Sequence, residues 1–150
     1  MRLVVQRIKE GSVKVVNTEK IVGSIETGLL VLVGVGKGDS NKDAEVLAEK
    51  LSKLRIISDN QGKMNLSLLD AQESVLAVSQ FTLYADTSAG NRPSFIKAAE
   101  PKLARSIYNH FILKLKEKGL NVETGSFGEY MEIFTKLDGP VTIILESSSQ

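Results

Sequence analysis

Residues Ser74–Asp86 read SVLAVSQFTLYAD, an apolar run that ends in uncharged polar side chains. Side chains alternate between the two faces of a strand, and here both faces begin apolar. The pattern predicts a central strand over Ser74–Tyr84, covered on both sides, with Gln80 and Thr82 on one face. A buried polar side chain without a partner costs about 1–3 kcal/mol. These residues therefore either satisfy neighbouring backbone groups or form a strand end that faces a ligand.

The segments on either side of this run indicate the fold class. Seven further β-rich segments are expected at Leu3–Ile8, Val13–Val16, Ile21–Ile25, Leu29–Val35, Asn121–Gly125, Tyr130–Lys136 and Val141–Leu145. Runs of strands with two main helices are typical of an α+β domain rather than a doubly wound sheet. We therefore expect a single α+β domain with a mostly antiparallel sheet or an open β-barrel.

Two amphipathic segments predict the helices, and both should pack on the sheet. The first follows a capping box formed by Ser40 and Asp43. The second begins at Pro101 and ends at Gly119. The expected buried residues are Ala44, Leu47, Ala48, Leu51 and Leu54 in the first helix, and Leu103, Ile107, Phe111 and Leu115 in the second.

The composition is that of an ordinary globular domain, with 150 residues, 42% hydrophobic and 25% charged. We expect one domain over residues 1–150, with a short polar tail at 147–150. The chain has no Cys, which excludes thiol catalysis and cysteine metal sites and fits a reducing compartment. The start of the chain lacks a signal-peptide pattern, and the longest apolar run, Gly28–Gly36, is too short to span a membrane. We expect a cytoplasmic protein without a membrane partner.

The charge balance excludes a uniformly basic nucleic-acid binder, because 19 basic residues face 18 acidic ones. One local patch stands out, since residues 92–118 carry seven Lys or Arg and only two Glu. Such a patch is either a solvated helix face or a surface that contacts phosphate.

The sequence contains few residues that could act as a nucleophile with an adjacent base. A Ser or Thr nucleophile needs an adjacent base, yet the single His, His110, falls in the middle of the second predicted helix. The chain shows no Ser-x-x-Lys, GxSxG, HExxH or phosphate-loop motif. An enzyme built from these residues would use backbone N–H groups to stabilise an oxyanion, together with a functional group of the substrate. An ester with a neighbouring hydroxyl group fits, and we expect neither metal nor cofactor.

Two motifs resemble those of the D-aminoacyl-tRNA deacylase (D-tyrosyl-tRNA deacylase) family. Ser79-Gln80-Phe81-Thr82 resembles its Ser-Gln-x-Thr motif, and Gly139-Pro140-Val141-Thr142 resembles its Gly-Pro-x-Thr motif. The similarity extends along nearly the whole chain, through VVQR, GLLVLVGV, VSQFTLYAD, RPSF, TGSFGEYM and GPVTIILES in family order.

The resemblance implies an enzyme that hydrolyses the ester between a D-amino acid, or glycine, and the terminal adenosine of tRNA, and spares L-aminoacyl-tRNA. It also implies a homodimer with active sites at the interface. A Gly139–Pro140 pair with a cis peptide bond would reach from one subunit into the pocket of the other. Rigid backbone carbonyls there would clash with an L side chain and admit hydrogen or a D substituent.

The resemblance also implies a role for each site residue. Ser79 and Gln80 would bind around the aminoacyl group, the backbone N–H of Phe81 would face the oxyanion, and Thr82 would shape the pocket. The 2′-hydroxyl group of the tRNA would assist the attack. The residues expected around the adenine are Phe95, Phe127 and Met131.

Arg7 matches the position that holds the Gly-Pro loop in the family. Leu137 is a departure, because the family usually has Asn two residues before the Gly, and Asp138 is the candidate replacement for its hydrogen bond. Core or surface packing is the plain alternative for Arg7, Phe127 and Met131. Two other functions stay open: a non-catalytic module that binds the tRNA end or other nucleic acid, and a small-ester hydrolase with Thr82 as nucleophile.

Overall fold

A computed structural model describes residues 1–147, so the remainder of the expected polar tail lies outside the described residues. The strands are β1 (Arg2–Val15), β2 (Lys20–Ile25), β3 (Gly28–Gly34), β4 (Ile57–Ser58), β5 (Met64–Leu66), β6 (Ser74–Ser79), β7 (Val122–Thr124) and β8 (Met131–Glu146). The α-helices are α1 (Asn41–Lys53), α2 (Leu68–Ala71) and α3 (Pro101–Glu117), and a 3-10 helix spans Phe81–Tyr84.

The main sheet has six strands and is mixed. Its order is β2-β1-β3-β6-β7, and β8 pairs with β1. Strand β1 is antiparallel to β2, β3 and β8, whereas β3–β6 and β6–β7 are parallel pairs. Parallel neighbours need a long crossover connection, which α1 and α3 provide. The α+β class with two main helices is confirmed, although the sheet contains more parallel pairing than we expected.

Two long strands replace four of the expected short ones. Residues 2–15 form the single strand β1, and residues 131–146 form the single strand β8. The two strands stay paired because bulges absorb their irregular residues. At one bulge Gln6 pairs with Thr142 and Ile8 pairs with Leu137, so that four residues of β8, 138–141, lie opposite Arg7 alone.

The central strand is shorter than predicted. Strand β6 ends at Ser79, and the N–H of Gln80 makes a last bond of 2.8 Å to the carbonyl of Val33. The chain then turns into the 3-10 helix, in which Leu83 N–H bonds to the carbonyl of Gln80. Gln80 is half-buried and Thr82 is exposed. The expectation that they share one strand face was therefore wrong, because local i→i+3 bonding replaces strand pairing here.

Helices α1 and α3 cover one face of the sheet. Phe111 and Leu115 of α3 and Leu47 and Leu51 of α1 are almost fully buried in this core. Leu103 is 47% exposed, so its expected burial was wrong. The buried face of α3 starts with Ala104 instead.

The expected capping box is confirmed, since the Asp43 carboxylate accepts from the Ser40 N–H at 2.8 Å. The β4–β5 hairpin and α2 were missed. They contain two to four residues each, too few to give a periodic pattern. None of the helices within residues 1–147 has the length and apolar character that a membrane span requires.

Candidate functional site

A cleft of about 700 Å³ lies at the carboxyl end of β6. Its walls come from the 3-10 helix, the segment before α3, the first turn of α3, and the start of β8. Six of the ten predicted site residues line it: Ser79, Gln80, Phe81, Phe95, Phe127 and Met131. A concave, mostly apolar pocket with a few polar groups is the usual form of a small-ligand site.

The polar groups at the cleft lie just after the end of β6. The amide Nε2 of Gln80 donates to the hydroxyl oxygen of Thr82, which fixes the Gln80 side chain. Within the part of the chain that the structure describes, no acceptor takes the backbone N–H of Phe81. A backbone N–H at the edge of an apolar cleft is a suitable donor for an oxyanion.

Neither hydroxyl near the cleft has a base. Among residues 1–147, no His, Lys or carboxylate hydrogen-bonds to Ser79 or Thr82. His110 instead pairs with Glu45, with 2.8 Å between Nε2 and Oε1, and so links α3 to α1. Glu129 lines the cleft, but its side chain makes no such contact. The arrangement lacks the nucleophile–base pair of a serine-type hydrolase.

Aromatic and sulfur-containing side chains form the remaining walls. The rings of Phe81 and Phe95 meet edge to face with 5.0 Å between centroids. On the other side, Phe127 packs against Tyr108 with 5.9 Å between centroids. The Met131 sulfur accepts from the Ser126 N–H at 3.2 Å. These flat and polarisable surfaces suit a stacked base.

Three predicted residues, Arg7, Gly139 and Pro140, lie outside the cleft and form a separate cluster. Arg7 lies under the bulge of β8, with 3.0 Å between its Nε and Oδ2 of Asp138. Its Nη1 donates to the carbonyl of Ile56 at 2.9 Å. The Gly139–Pro140 peptide bond is cis, and both residues are exposed. Arg7 therefore ties the segment that carries Gly139–Pro140 to β1 and to the chain before β4.

Leu137 stands where the family usually has Asn, and the neighbouring residue makes the polar contact instead. Leu137 is 45% exposed and supplies no polar group to the bulge. The neighbouring Asp138 makes the ionic contact with Arg7. Glu73 lies near both of them, and burial raises the pKa of its carboxyl group, while Arg7 acts in the opposite direction.

The cleft and the Gly139–Pro140 bulge lie at opposite ends of the sheet. Ser79 is in register with Val33 and Leu3, whereas Arg7 is in register with Leu29 and Val75. The start of β8 lines the cleft at Met131 and Ile133, and the bulge begins at Asp138, five residues beyond Ile133 or about 16 Å along an extended strand. Within one chain the cleft and the bulge are therefore separate.

Sequence reasoning missed the small residues that open the cleft. Ala98, Ala99 and Ala104 line its wall beside Pro101. Side chains of this size leave room where the loop enters α3. The signal was the small-residue stretch around Pro101, which we read only as a helix start.

Comparisons with known proteins agree on one family. The family model described as D-Tyr-tRNA(Tyr) deacylase matches residues 4–146. A D-aminoacyl-tRNA deacylase of Thermotoga petrophila is 55% identical over 148 residues, covering 99% of this chain and 98% of that protein. A D-aminoacyl-tRNA deacylase of Bacillus pumilus is 54% identical over 147 residues, covering 98% of this chain and 99% of that protein.

Solved structures show the same fold. A c-Myc DNA Unwinding Element Binding Protein superposes with a TM-score of 0.91 at 37% identity, covering 99% of this chain and 100% of that one. A probable eukaryotic D-amino acid tRNA deacylase superposes with a TM-score of 0.82 at 16% identity, covering 97% and 98% of the two chains. The second likeness concerns the fold alone.

Proposed function

The chain belongs to the D-Tyr-tRNA(Tyr) deacylase family, and on that premise we propose that it hydrolyses the ester between a D-amino acid and the terminal adenosine of tRNA. The products are the free amino acid and tRNA. The same pocket admits glycine, which has no side chain to be refused, and rejects L-amino acids. One observation supports this chemistry best: among residues 1–147, the backbone N–H of Phe81, a residue that lines the cleft, has no acceptor, and no base hydrogen-bonds to Ser79 or Thr82.

In the proposed mechanism the ester carbonyl lies against the backbone N–H of Phe81. This N–H stabilises the negative charge that develops on the carbonyl oxygen, an effect worth about 3–4 kcal/mol for one well-placed donor. Ser79 and Gln80 orient the aminoacyl group, and Thr82 fixes Gln80. The 2′-hydroxyl group of the terminal ribose assists the attacking water, so the protein needs no base of its own.

We place the terminal adenine against Phe127 and Met131, with Phe95 on the opposite wall. Stacking on aromatic and apolar surfaces is worth about 1–3 kcal/mol per base and does not depend on base identity. The adenine then holds the ester at the Phe81 end of the cleft.

Rejection of L substrates is proposed to require a homodimer. The Gly139–Pro140 bulge lies on the same sheet as its own cleft but at the opposite end, so it serves the cleft of a partner subunit. An apolar row supports a second copy: Ile144 pairs with Val4, Val4 with Leu32, and Leu32 with Val78 at the cleft. Ile144 is 64% exposed in the single chain, as expected of a face that another subunit covers.

A hydrolysis time course tests the proposal directly. Purified protein is incubated with D-Tyr-tRNA, L-Tyr-tRNA and glycyl-tRNA, and the remaining ester is measured at intervals. Loss of the D and glycyl esters, with survival of the L ester, is the expected result. Equal loss of all three would refute the chiral pocket.

A second candidate function is a non-catalytic nucleic-acid binding module. It is favoured by the 37% identity to a protein described as binding a DNA unwinding element. Survival of all three esters together with binding of tRNA would favour this candidate over the deacylase.

A further inference from the structure

A second cleft, of about 540 Å³, runs along α3. The helix contributes Arg105, Asn109, Leu113 and Lys116, which recur at intervals of three or four residues and so share one face. The opposite wall is the segment 124–127. We call this cleft the α3 groove.

The α3 groove is electropositive because its cations are not neutralised. No acidic residue lines it, and among residues 1–147 no carboxylate lies within 4.0 Å of Arg105 or Lys116. Two lysines outside the groove differ, since Lys114 pairs with Glu117 at 2.9 Å and Lys118, just after α3, pairs with Glu49. Cations left unpaired along one face are what a polyanion requires.

The α3 groove begins where the cleft at the carboxyl end of β6 ends; we call that first cleft the catalytic cleft, because the proposed function places the ester there. Phe127 lines both. On the helix, Ala104 faces the catalytic cleft and Arg105 faces the groove. The Arg105 guanidinium carbon lies 5.0 Å from the Phe127 ring centroid, and its Nη2 donates to the Phe127 carbonyl at 3.3 Å. A ligand that leaves the catalytic cleft past Phe127 enters the groove directly.

We propose that the α3 groove binds the sugar–phosphate backbone of the single-stranded 3′ end of tRNA, on the 5′ side of the terminal adenosine. This rests on the proposed function, which places that adenosine at Phe127. Arg105 and Lys116 are eleven residues apart, or about 17 Å along the helix, long enough to contact more than one phosphate. Asn109 and Ser126 supply hydrogen-bonding groups, and Leu113, 50% exposed, supplies apolar surface for a base. A charged track with interspersed stacking surface is the usual form of a single-strand site.

Lys116→Ala is the test variant, because Lys116 is exposed and lies away from the catalytic cleft. Lys114→Ala is its matched control, on the same helix but ion-paired outside the groove. Binding of fluorescently labelled, uncharged tRNA is measured by anisotropy at several salt concentrations. The expected result is a Kd about three- to tenfold higher for Lys116→Ala, with the slope of log Kd against log salt reduced by about one. Lys114→Ala should match the unaltered protein.

A double variant, Lys102→Ala with Lys116→Ala, tests whether a second lysine of α3 takes over the phosphate contact when Lys116 is removed. Lys102 lies one turn before Arg105 on the same helix and is exposed. We expect the double variant to lose more affinity and more of the salt slope than Lys116→Ala. If both variants bind tRNA with unchanged Kd and slope, the groove is not the tRNA track.

Hydrolysis separates this proposal from the proposed function. The variants are compared on D-Tyr-tRNA and on D-tyrosyl-adenosine, an ester that carries no phosphate. The ratio of kcat/KM for tRNA to kcat/KM for the adenosine ester should fall about three- to tenfold in Lys116→Ala. A protein that binds tRNA through the groove but cleaves neither ester would refute the deacylase proposal and leave the groove supported. An unchanged ratio in an active enzyme would overturn the groove alone.

Discussion

Arg7 and Asp138 form an ion pair across the bulge between β1 and β8, with 3.0 Å between Nε and Oδ2. Arg7 is largely buried, with 11% of its side chain exposed, whereas Asp138 retains 33%. The pair joins the segment carrying Gly139–Pro140 to the chain before β4, where Arg7 also contacts the carbonyl of Ile56. Between the paired residues Leu137 and Thr142, this ion pair is therefore the side-chain contact that holds the segment to β1.

Asp138→Ala should weaken chiral discrimination. Without the carboxylate the segment loses its ionic contact with β1, and we expect a destabilisation of about 1–2 kcal/mol. The ratio of L-Tyr-tRNA to D-Tyr-tRNA hydrolysis should rise about tenfold, because a less rigid segment rejects less strictly. Glu132→Ala is the matched control, since Glu132 pairs with Lys14 on the same two strands. An unchanged ratio in Asp138→Ala, with Glu132→Ala also unchanged, would remove the Arg7–Asp138 pair from selectivity.

Ile144→Asp should give a folded monomer that hydrolyses D-Tyr-tRNA and L-Tyr-tRNA alike, because the partner's Gly139–Pro140 bulge no longer reaches the cleft. Ile144 is 64% exposed in one chain, so the change should leave the fold intact while placing a charge in the proposed interface. Ile21→Asp is the control, because Ile21 is 65% exposed but lies on β2. Mass by light scattering and deacylation of D-Tyr-tRNA and L-Tyr-tRNA are the measurements. A dimeric Ile144→Asp protein that still spares L-Tyr-tRNA would contradict the proposed interface.

Thr82→Val should retain most of the activity, within about tenfold, because Thr82 fixes Gln80 rather than attacking the ester. Thr82→Ser should be close to the unaltered enzyme, since it keeps the acceptor for the Gln80 amide. Single-turnover rates on D-Tyr-tRNA provide the measurement. Loss of activity in Thr82→Val, and formation of an acyl-enzyme in the unaltered protein, would instead make Thr82 the nucleophile.

Tyr108→Phe should be destabilised by about 0.5–1.5 kcal/mol at pH 8. The buried Tyr108 hydroxyl donates to the Ala77 carbonyl at 3.0 Å, and that carbonyl keeps a second bond from the Gly125 N–H. The variant therefore loses one hydrogen bond without leaving the carbonyl unsatisfied.

The same variant reports a pH effect. Burial raises the pKa of the Tyr108 hydroxyl above its ordinary value of 10.0, so the neutral form stabilises the fold below pH 10 and this contribution falls as pH rises further. The stability advantage over Tyr108→Phe should shrink by about 1 kcal/mol between pH 10 and pH 11. Urea unfolding at each pH measures the difference. A constant difference would mean that Tyr108 ionises normally in the folded protein.

The sequence predicted the elements that have a long periodic pattern. Helices α1 and α3 and the capping box at Ser40 follow from local patterns alone. The end of β6 at Ser79 did not, because the residues that form the 3-10 helix, Phe81–Tyr84, also have the β-branched and aromatic character of a strand. The 3-10 helix packs closely on Gly36, where a Cβ atom would lie 2.6 Å from the Tyr84 ring. Because Gly36 and Tyr84 are distant in sequence, a local pattern does not reveal this contact.

The candidate site was predictable in part. The motif around Gln80 pointed to the cleft, and six predicted residues line it. Asp138 was expected to replace the hydrogen bond of the family's Asn, but its pairing with Arg7 was not predicted, because it depends on a bulge that sets four residues opposite Arg7.

The separation of the cleft from the Gly139–Pro140 bulge also has a genetic consequence. If each site of a two-fold dimer takes its cleft from one chain and its bulge from the other, two differently damaged polypeptides can restore one another. A mixed dimer of a cleft-defective chain and a bulge-defective chain contains one site with both parts intact and one with neither. Random pairing of equal amounts would leave about a quarter of all sites whole. Mixing the two chains would then create a site that both cleaves the ester and rejects L substrates, which neither chain forms alone.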